Sequence, residues 1–178
     1  MPEGPATLET GRLVLRPFVL DDAEAFLRMN SEPEIIRYTY QSPLSSLEEA
    51  VDLMKRVPFK DYQTWGYGRL AVVLKETGEV IGFCGLKYLP VIGETEVGYR
   101  LMPEHWQQGL ATEAAARALQ HGREDLGLKR IVALVDPGNV ASAKVAMKIG
   151  LHLESQVPFP GIETPLDMYV WEEGGAHN

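Results

Sequence analysis

Apolar positions recur along this chain in two rhythms, and the change from one to the other marks its elements. Leu13, Leu15 and Phe18 mark a first strand ending near Pro17. Asp21 or Asp22 then caps a short helix carrying Ala25, Phe26 and Met29. Pro43 precedes a second helix with Leu44, Leu47, Val51 and Met54 at helical spacing, capped through Ser45 or Ser46 with Glu48 or Glu49, and Pro58 ends it. Gly68 to Lys75 and Val80 to Leu89 flank Glu76-Thr77-Gly78-Glu79, which reads as a hairpin turn, and Thr95 to Leu101 follows as a third strand. A long helix, roughly Leu110 to Leu126, gathers Leu110, Ala111, Ala114, Ala115, Ala118 and Leu119 on one face. Ile131 to Val135 reads as a buried strand, followed by a short helix. Leu151 to Val157, a Pro/Gly-rich loop and Leu166 to Trp171 complete the chain. Strand-rich first, then alternating strand and helix, this order predicts an α/β (α+β) domain: a mixed sheet with helices on its faces.

The most informative chemistry lies where the third hairpin strand gives way to the long helix, in His105-Trp106-Gln107-Gln108-Gly109-Leu110-Ala111-Thr112-Glu113-Ala114. The first N–H groups of a helix have no partner within it, and the helix dipole favours an anion at that end. Gly109 lets a ligand approach the backbone, and Ala111 keeps the next contact small. Alone, such a turn is also an ordinary helix start.

Its neighbours change that weighting. Glu96-Val97-Gly98-Tyr99-Arg100-Leu101 precedes it, and Asn139-Val140-Ala141-Ser142 with Lys148-Ile149-Gly150-Leu151 follows the buried strand. With Leu8 to Phe18 as an opening strand, these motifs, in this order, resemble the GNAT acetyltransferases and within them the RimJ/RimL-like branch. The resemblance covers nearly the whole chain. It implies the GNAT fold, a central, mostly antiparallel sheet splayed between its fourth and fifth strands, with helices on both faces.

The resemblance also implies roles. The backbone of Gln107, Gln108, Gly109, Leu110, Ala111 and Thr112 would hold the pyrophosphate of acetyl-CoA, the cosubstrate. Gln107 stands where the branch often has a second glycine, and Thr112 either adds a hydroxyl or caps its own helix. Leu101 and Met102 would align the pantetheine at the splay, where a strand N–H polarises the thioester carbonyl. Asn139 would bond the pantetheine arm, and Ser142 would act as general acid on the departing thiolate; read locally, Asn139 is a helix cap and Ser142 a first-turn residue. Glu96 is the general base that the family pattern suggests, with an ion pair at the sheet as the competing role and Glu94 and Glu163 as rivals. Tyr38 and Glu163, and with them Tyr40 and Trp65, are placed at the acceptor cleft, although aromatic residues belong to the core by default. The segment Pro158 to Pro165 is expected to be a shaped loop bordering that cleft.

Composition bounds the rest. The 178 residues suit one domain over 1–178, with flexible ends at 1–7 and 174–178. A hydrophobic content of 45% suffices for a core, and no apolar run approaches the ~20 residues of a membrane span. The start, Met1 to Thr7, lacks the basic and apolar regions of a signal peptide, so the protein is expected in the cytoplasm, without a membrane partner. Cys84 is the one cysteine, a buried apolar residue by expectation; His105 and His121 lack metal-ligand spacing, and no metal is expected. A net charge of −8 argues against nucleic acid as a partner. The expected function is transfer of acetyl to a primary amine, either a protein N-terminal α-amine or a small molecule such as a polyamine, amino acid or aminoglycoside. A non-catalytic acyl-CoA-binding module on the same fold stands as the alternative, and a homodimer is kept in view as the assembly.

Overall fold

A computed structural model describes residues 4–175, so the outermost residues of the two expected flexible ends lie outside it. The chain runs β1 (Leu8–Glu9), β2 (Leu13–Arg16), α1 (Ala23–Met29), α2 (Pro33–Ile36), α3 (Leu47–Arg56), α4 (Pro58–Trp65), β3 (Arg69–Leu74), β4 (Val80–Leu89) and β5 (Glu94–Leu101). It continues with α5 (Leu110–Glu124), β6 (Arg130–Val135), α6 (Val140–Lys148), β7 (His152–Phe159) and β8 (Ile162–Glu172). One eight-stranded sheet results, in the order β1-β2-β3-β4-β5-β6-β8-β7.

Every neighbouring pair in that sheet is antiparallel except β5 and β6, which run parallel and share register at a single pair, Glu96↔Val132. Beyond that pair β5 loses its partner on the β6 edge, and the sheet splays there; the expected splay between fourth and fifth strands falls one strand later because the two-residue β1 adds to the count. Each face carries its own core. On one, Leu110, Ala114, Ala115, Ala118 and Leu119 of α5 pack on Leu86, Val97, Leu101 and Ile131, the alanines allowing close approach. On the other, Phe18, Phe26 and Met29 meet Ala50, Met54, Ala71 and Met102 beneath α1 and α3. Leu13 and Leu15, both 0% exposed, pin β2 into the first of these cores, at roughly 1.5–3 kcal/mol apiece.

Three local features depart from the pattern read in the sequence. The second helix, α3, does end at Arg56 just before Pro58, but Pro58 also opens a helix the sequence did not show, α4, as its first residue, where a missing N–H costs nothing. Asp22 stands at the α1 cap position but makes no cap bond there, because its carboxylate accepts from Arg16 at 2.8 and 2.9 Å and from the Val19 N–H. The segment Pro158 to Pro165 is not a loop: β7 and β8 pair out to Phe159↔Ile162, leaving a turn at Pro160-Gly161. Ser46 does cap α3, accepting from the Glu49 N–H at 3.1 Å.

Candidate functional site

The end of β5 and the start of α5 are joined by a short segment that makes few bonds of its own. Trp106 fixes it by donating from its ring N–H to the Leu101 carbonyl at 2.8 Å. From there Gln107 (φ 59) and Gly109 (φ 75) both adopt the left-handed backbone. Gln107 thus holds the conformation that a glycine would adopt freely. The first helical bond runs from the Glu113 N–H to the Gly109 carbonyl at 3.0 Å. None of the N–H groups from Gln107 to Thr112 donates to an acceptor among the described residues. Alternating left-handed residues turn successive N–H groups toward one concavity, a nest suited to an anion. Gln107, Gln108 and Gly109 are exposed, whereas Leu110 is buried in the core and anchors the turn. Thr112 does not cap the helix; Gly109 occupies the cap position without a side-chain bond.

The loop has a buttress that sequence reasoning missed. Arg12 donates to the Gln108 carbonyl at 2.9 Å and pairs with Glu113 at 2.9 Å, while Glu113 also accepts from the Thr10 hydroxyl at 2.5 Å and the Arg12 N–H at 3.1 Å. Burial works against the Glu113 charge, but Thr10 and Arg12 outweigh it and hold the carboxyl below its ordinary range. The β2 hairpin thereby places a cation beside the loop.

Across the splay, the alternation of β5 sends Tyr99 to one face and Arg100 to the other. The Tyr99 hydroxyl donates to the Ser142 carbonyl at 2.7 Å and lies 2.9 Å from the Ser142 hydroxyl. A phenol has one proton. With that proton on the carbonyl, Ser142 donates to the phenol oxygen. Burial pushes the Tyr99 phenol up to about 12, so it stays neutral near neutral pH. Asn139 caps α6, accepting from the Ser142 N–H at 3.2 Å, so its local reading holds for the side-chain oxygen. Leu101 and Met102 lie at the end of β5, both buried, and the Met102 N–H donates back to Ile81 at 2.8 Å.

Glu96 sits in the seam itself. One carboxylate oxygen accepts from Arg69 at 2.5 Å and the other from the Leu134 N–H of β6 at 3.3 Å. The ion pair weighed as its competing role is therefore present. Gly98 makes room for it: a Cβ there would meet the Arg69 guanidinium at 2.4 Å. Glu94 is drawn away from the splay into a pair with Arg130 at 3.0 Å.

The remaining residues divide. Tyr38 is half-buried and approaches the Asp136-Pro137-Gly138 turn after β6, with its ring edge 3.4 Å from where a Gly138 Cβ would stand. Tyr40, at φ 57, donates its hydroxyl to Asp136. Residues 38–41 therefore strap the mouth of the splay. Trp65 is not brought there; its ring meets that of Tyr88 at a tilt, 4.5 Å between centres, at the opposite end of β5, where Tyr88 pairs with Thr95. Glu163 is exposed in β8, four residues beyond the Asp167↔Val135 pair and so roughly 13 Å past the end of β6. His105 ends the short turn Pro103–His105, His121 pairs with Asp125 at 2.7 Å, and Cys84 is buried, its thiol pushed up to about 12 by burial.

Residues 12–152 match the family model of the acetyltransferase (GNAT) domain. The chain is 35% identical over 150 residues to the uncharacterized N-acetyltransferase p20 of Bacillus licheniformis, covering 83% of each chain. It is 25% identical over 144 residues to spermidine N(1)-acetyltransferase of Escherichia coli K12, covering 80% of this chain and 74% of the other. Among solved structures, an acetyltransferase from Agrobacterium tumefaciens str. C58 superposes with a TM-score of 0.81 at 30% identity, covering 94% and 95% of the two chains.

Proposed function

This chain belongs to the GNAT acetyltransferases, and on that premise we propose that it moves acetyl from acetyl-CoA to a primary amine in a ternary complex. One observation carries the reading: the run of unengaged N–H groups from Gln107 to Thr112 at a helix start beside an open strand edge. Those donors suit a pyrophosphate, and Arg12, itself paired with Glu113, fixes the loop that presents them. Leu101 and Met102 line the start of the path into the splay, with Asn139 beyond it. There the amine nitrogen bonds to the acetyl carbon, the carbon–sulfur bond breaks, the amine gives up a proton and the thiolate gains one. Ser142, with Tyr99 behind it, supplies that proton. The help needed is modest, because a thiolate with a conjugate-acid pKa of about 8.5 leaves readily. Glu96 takes the amine proton through water, within reach of its seam position, and Tyr38 and Glu163 contribute to the acceptor side. Proximity and orientation do most of the work.

The motifs support placement in the RimJ/RimL-like branch and, with it, a protein N-terminal α-amine as acceptor. Such an amine has a pKa of about 7.7–8.0 and needs little assistance to be neutral. Similarity to a spermidine acetyltransferase supports the second reading, a small-molecule amine.

Calorimetry with CoA and acetyl-CoA tests the loop. Gly109→Glu adds a like charge facing the pyrophosphate and should abolish measurable binding, while Gly109→Asn, which tolerates the left-handed backbone, should retain it. Unchanged CoA affinity in a folded Gly109→Glu variant would refute the site. A mass-shift screen of amines with acetyl-CoA tests transfer; binding without thiol release from any amine would leave the non-catalytic module standing.

A further inference from the structure

Arg100 lies on the face of β5 opposite Tyr99 and reaches beneath the strap formed by residues 38–41. Its guanidinium donates to the Met29 carbonyl at 3.0 Å, the Asn30 side-chain oxygen at 2.9 Å and the Gln41 side-chain oxygen at 3.1 Å. All three acceptors are neutral. No carboxylate among the described residues lies within ion-pair distance of it, although Arg69, nearby on the same face, is paired with Glu96. Both guanidiniums approach the Phe83 ring, Arg69 at 5.7 Å and Arg100 at 4.9 Å from its centre, one of them paired with a carboxylate and the other not. Burial, and then the Arg69 charge, work against the charge on Arg100. An arginine has five N–H donors, and three are engaged. Its Nε has no acceptor, yet no sealed side-chain nitrogen lacks a partner, so that donor opens to accessible space.

We propose that Arg100 receives a carboxylate carried by the acceptor, so that the substrate class is an amine bearing a carboxylate within a few bonds. The proposal rests on the transfer reading above for its chemistry. A polyamine fits this face poorly, since a second cation would meet an arginine whose charge nothing offsets. A carboxylate is matched to the free edge of a guanidinium, and the pair would hold the amine end toward the seam. Gln41 of the strap and Asn30, bonded to each other at 3.1 Å, fix the same guanidinium.

The test compares acids with amides in the unaltered protein. Each common amino acid and its carboxamide, with spermidine as a tricationic control, is offered with acetyl-CoA and followed by mass. Ser-Asp-amide against Ser-Asn-amide separates a carboxylate presented by a peptide from one on a free amino acid. The expected result is kcat/KM about tenfold or more higher for at least one acid than for its amide, the size of a lost charge-assisted hydrogen bond. Arg100→Gln should raise that acceptor's KM and erase the preference while acetyl-CoA affinity holds, and Arg100→Lys should keep part of it. Equal rates for every acid and amide, or faster turnover of spermidine, would overturn the proposal. Calorimetry of N-acetylamino acids and their amides with the CoA-saturated protein covers failure of transfer itself. If nothing turns over but the acids bind and the amides do not, the transfer reading fails and the Arg100 site stands. If neither turnover nor binding favours the carboxylate, Arg100 is only a clamp on the strap.

Discussion

Arg12 and Glu113 lie 101 residues apart and meet at the mouth of the loop, where one side chain ties down the Gln108 carbonyl and the other ties down the arginine. Nothing in the spacing of either residue announces the pair, because a tertiary contact leaves no local period in the sequence. Arg12 belongs to the opening-strand motif and Glu113 reads as an acidic first-turn residue; each has a sufficient local explanation. The structure shows them as one support. Arg12 is 49% exposed, so solvent screens the ion pair and most of its worth is in the hydrogen bond to the loop. Removing it as Arg12→Ala is expected to weaken CoA binding by about five- to tenfold, near 1 kcal/mol, with little change in folding stability. Calorimetry set beside a urea melt checks both halves, and unchanged CoA affinity would show that the loop holds its shape unaided.

Between Trp106 and α5 the backbone takes a left-handed turn at a residue with a side chain. Gln107 at φ 59 bears a cost of about 1 kcal/mol relative to glycine. Gln107→Gly should therefore be more stable than Gln107→Ala by about 1 kcal/mol, the reverse of their order inside a helix, and both should bind CoA. Matched urea midpoints for the two variants would mean that the loop relaxes out of this conformation. The same element shows what the sequence discloses and what it withholds. The strand before it, the glycine and the apolar face of α5 follow from local preference, and they were legible. The left-handed Gln107 was not, since only the surrounding loop imposes it. Pro58 misled for a related reason: a proline blocks the helix behind it and equally well begins one ahead, and sequence alone showed the first effect. Pro160-Gly161 read as the centre of a loop because its flanking prolines suggest irregularity, yet Val157↔Leu166 and Phe159↔Ile162 carry the ladder to the turn. Tyr38 and Trp65 look alike in the sequence, and only the sheet, by setting the two ends of β5 apart, separates the one beside the Gly138 turn from the one beside Tyr88.

Across the molecule, burial holds several acids neutral, three of them most strongly. Tyr99 and Cys84 are each pushed up to about 12, and Tyr62, on α4, is also raised by burial. Their ordinary values are 10.0 for tyrosine and 9.0 for cysteine. The folded chain thus holds these protons more tightly than the unfolded chain. Their contribution is complete below about pH 9 and is lost as pH rises through the folded values toward 12. Urea midpoints should fall steadily from pH 9 to 11, and Tyr99→Phe should flatten part of that fall; a midpoint constant across the range would contradict it. The seam between β5 and β6 bears on the whole molecule differently. In an ordinary sheet interior, each amide is guarded by a neighbouring backbone carbonyl. At Leu134 the guard is a side chain, the carboxylate of Glu96. The protection of an interior strand against solvent exchange therefore depends on one removable group. In Glu96→Ala the Leu134 amide should exchange with deuterium at least about tenfold faster, while the amides of the β4–β5 ladder keep their pace. The two parts of the sheet would then breathe at that line, and the width of the opening that admits a substrate would be set by a residue whose usual description is chemical rather than mechanical.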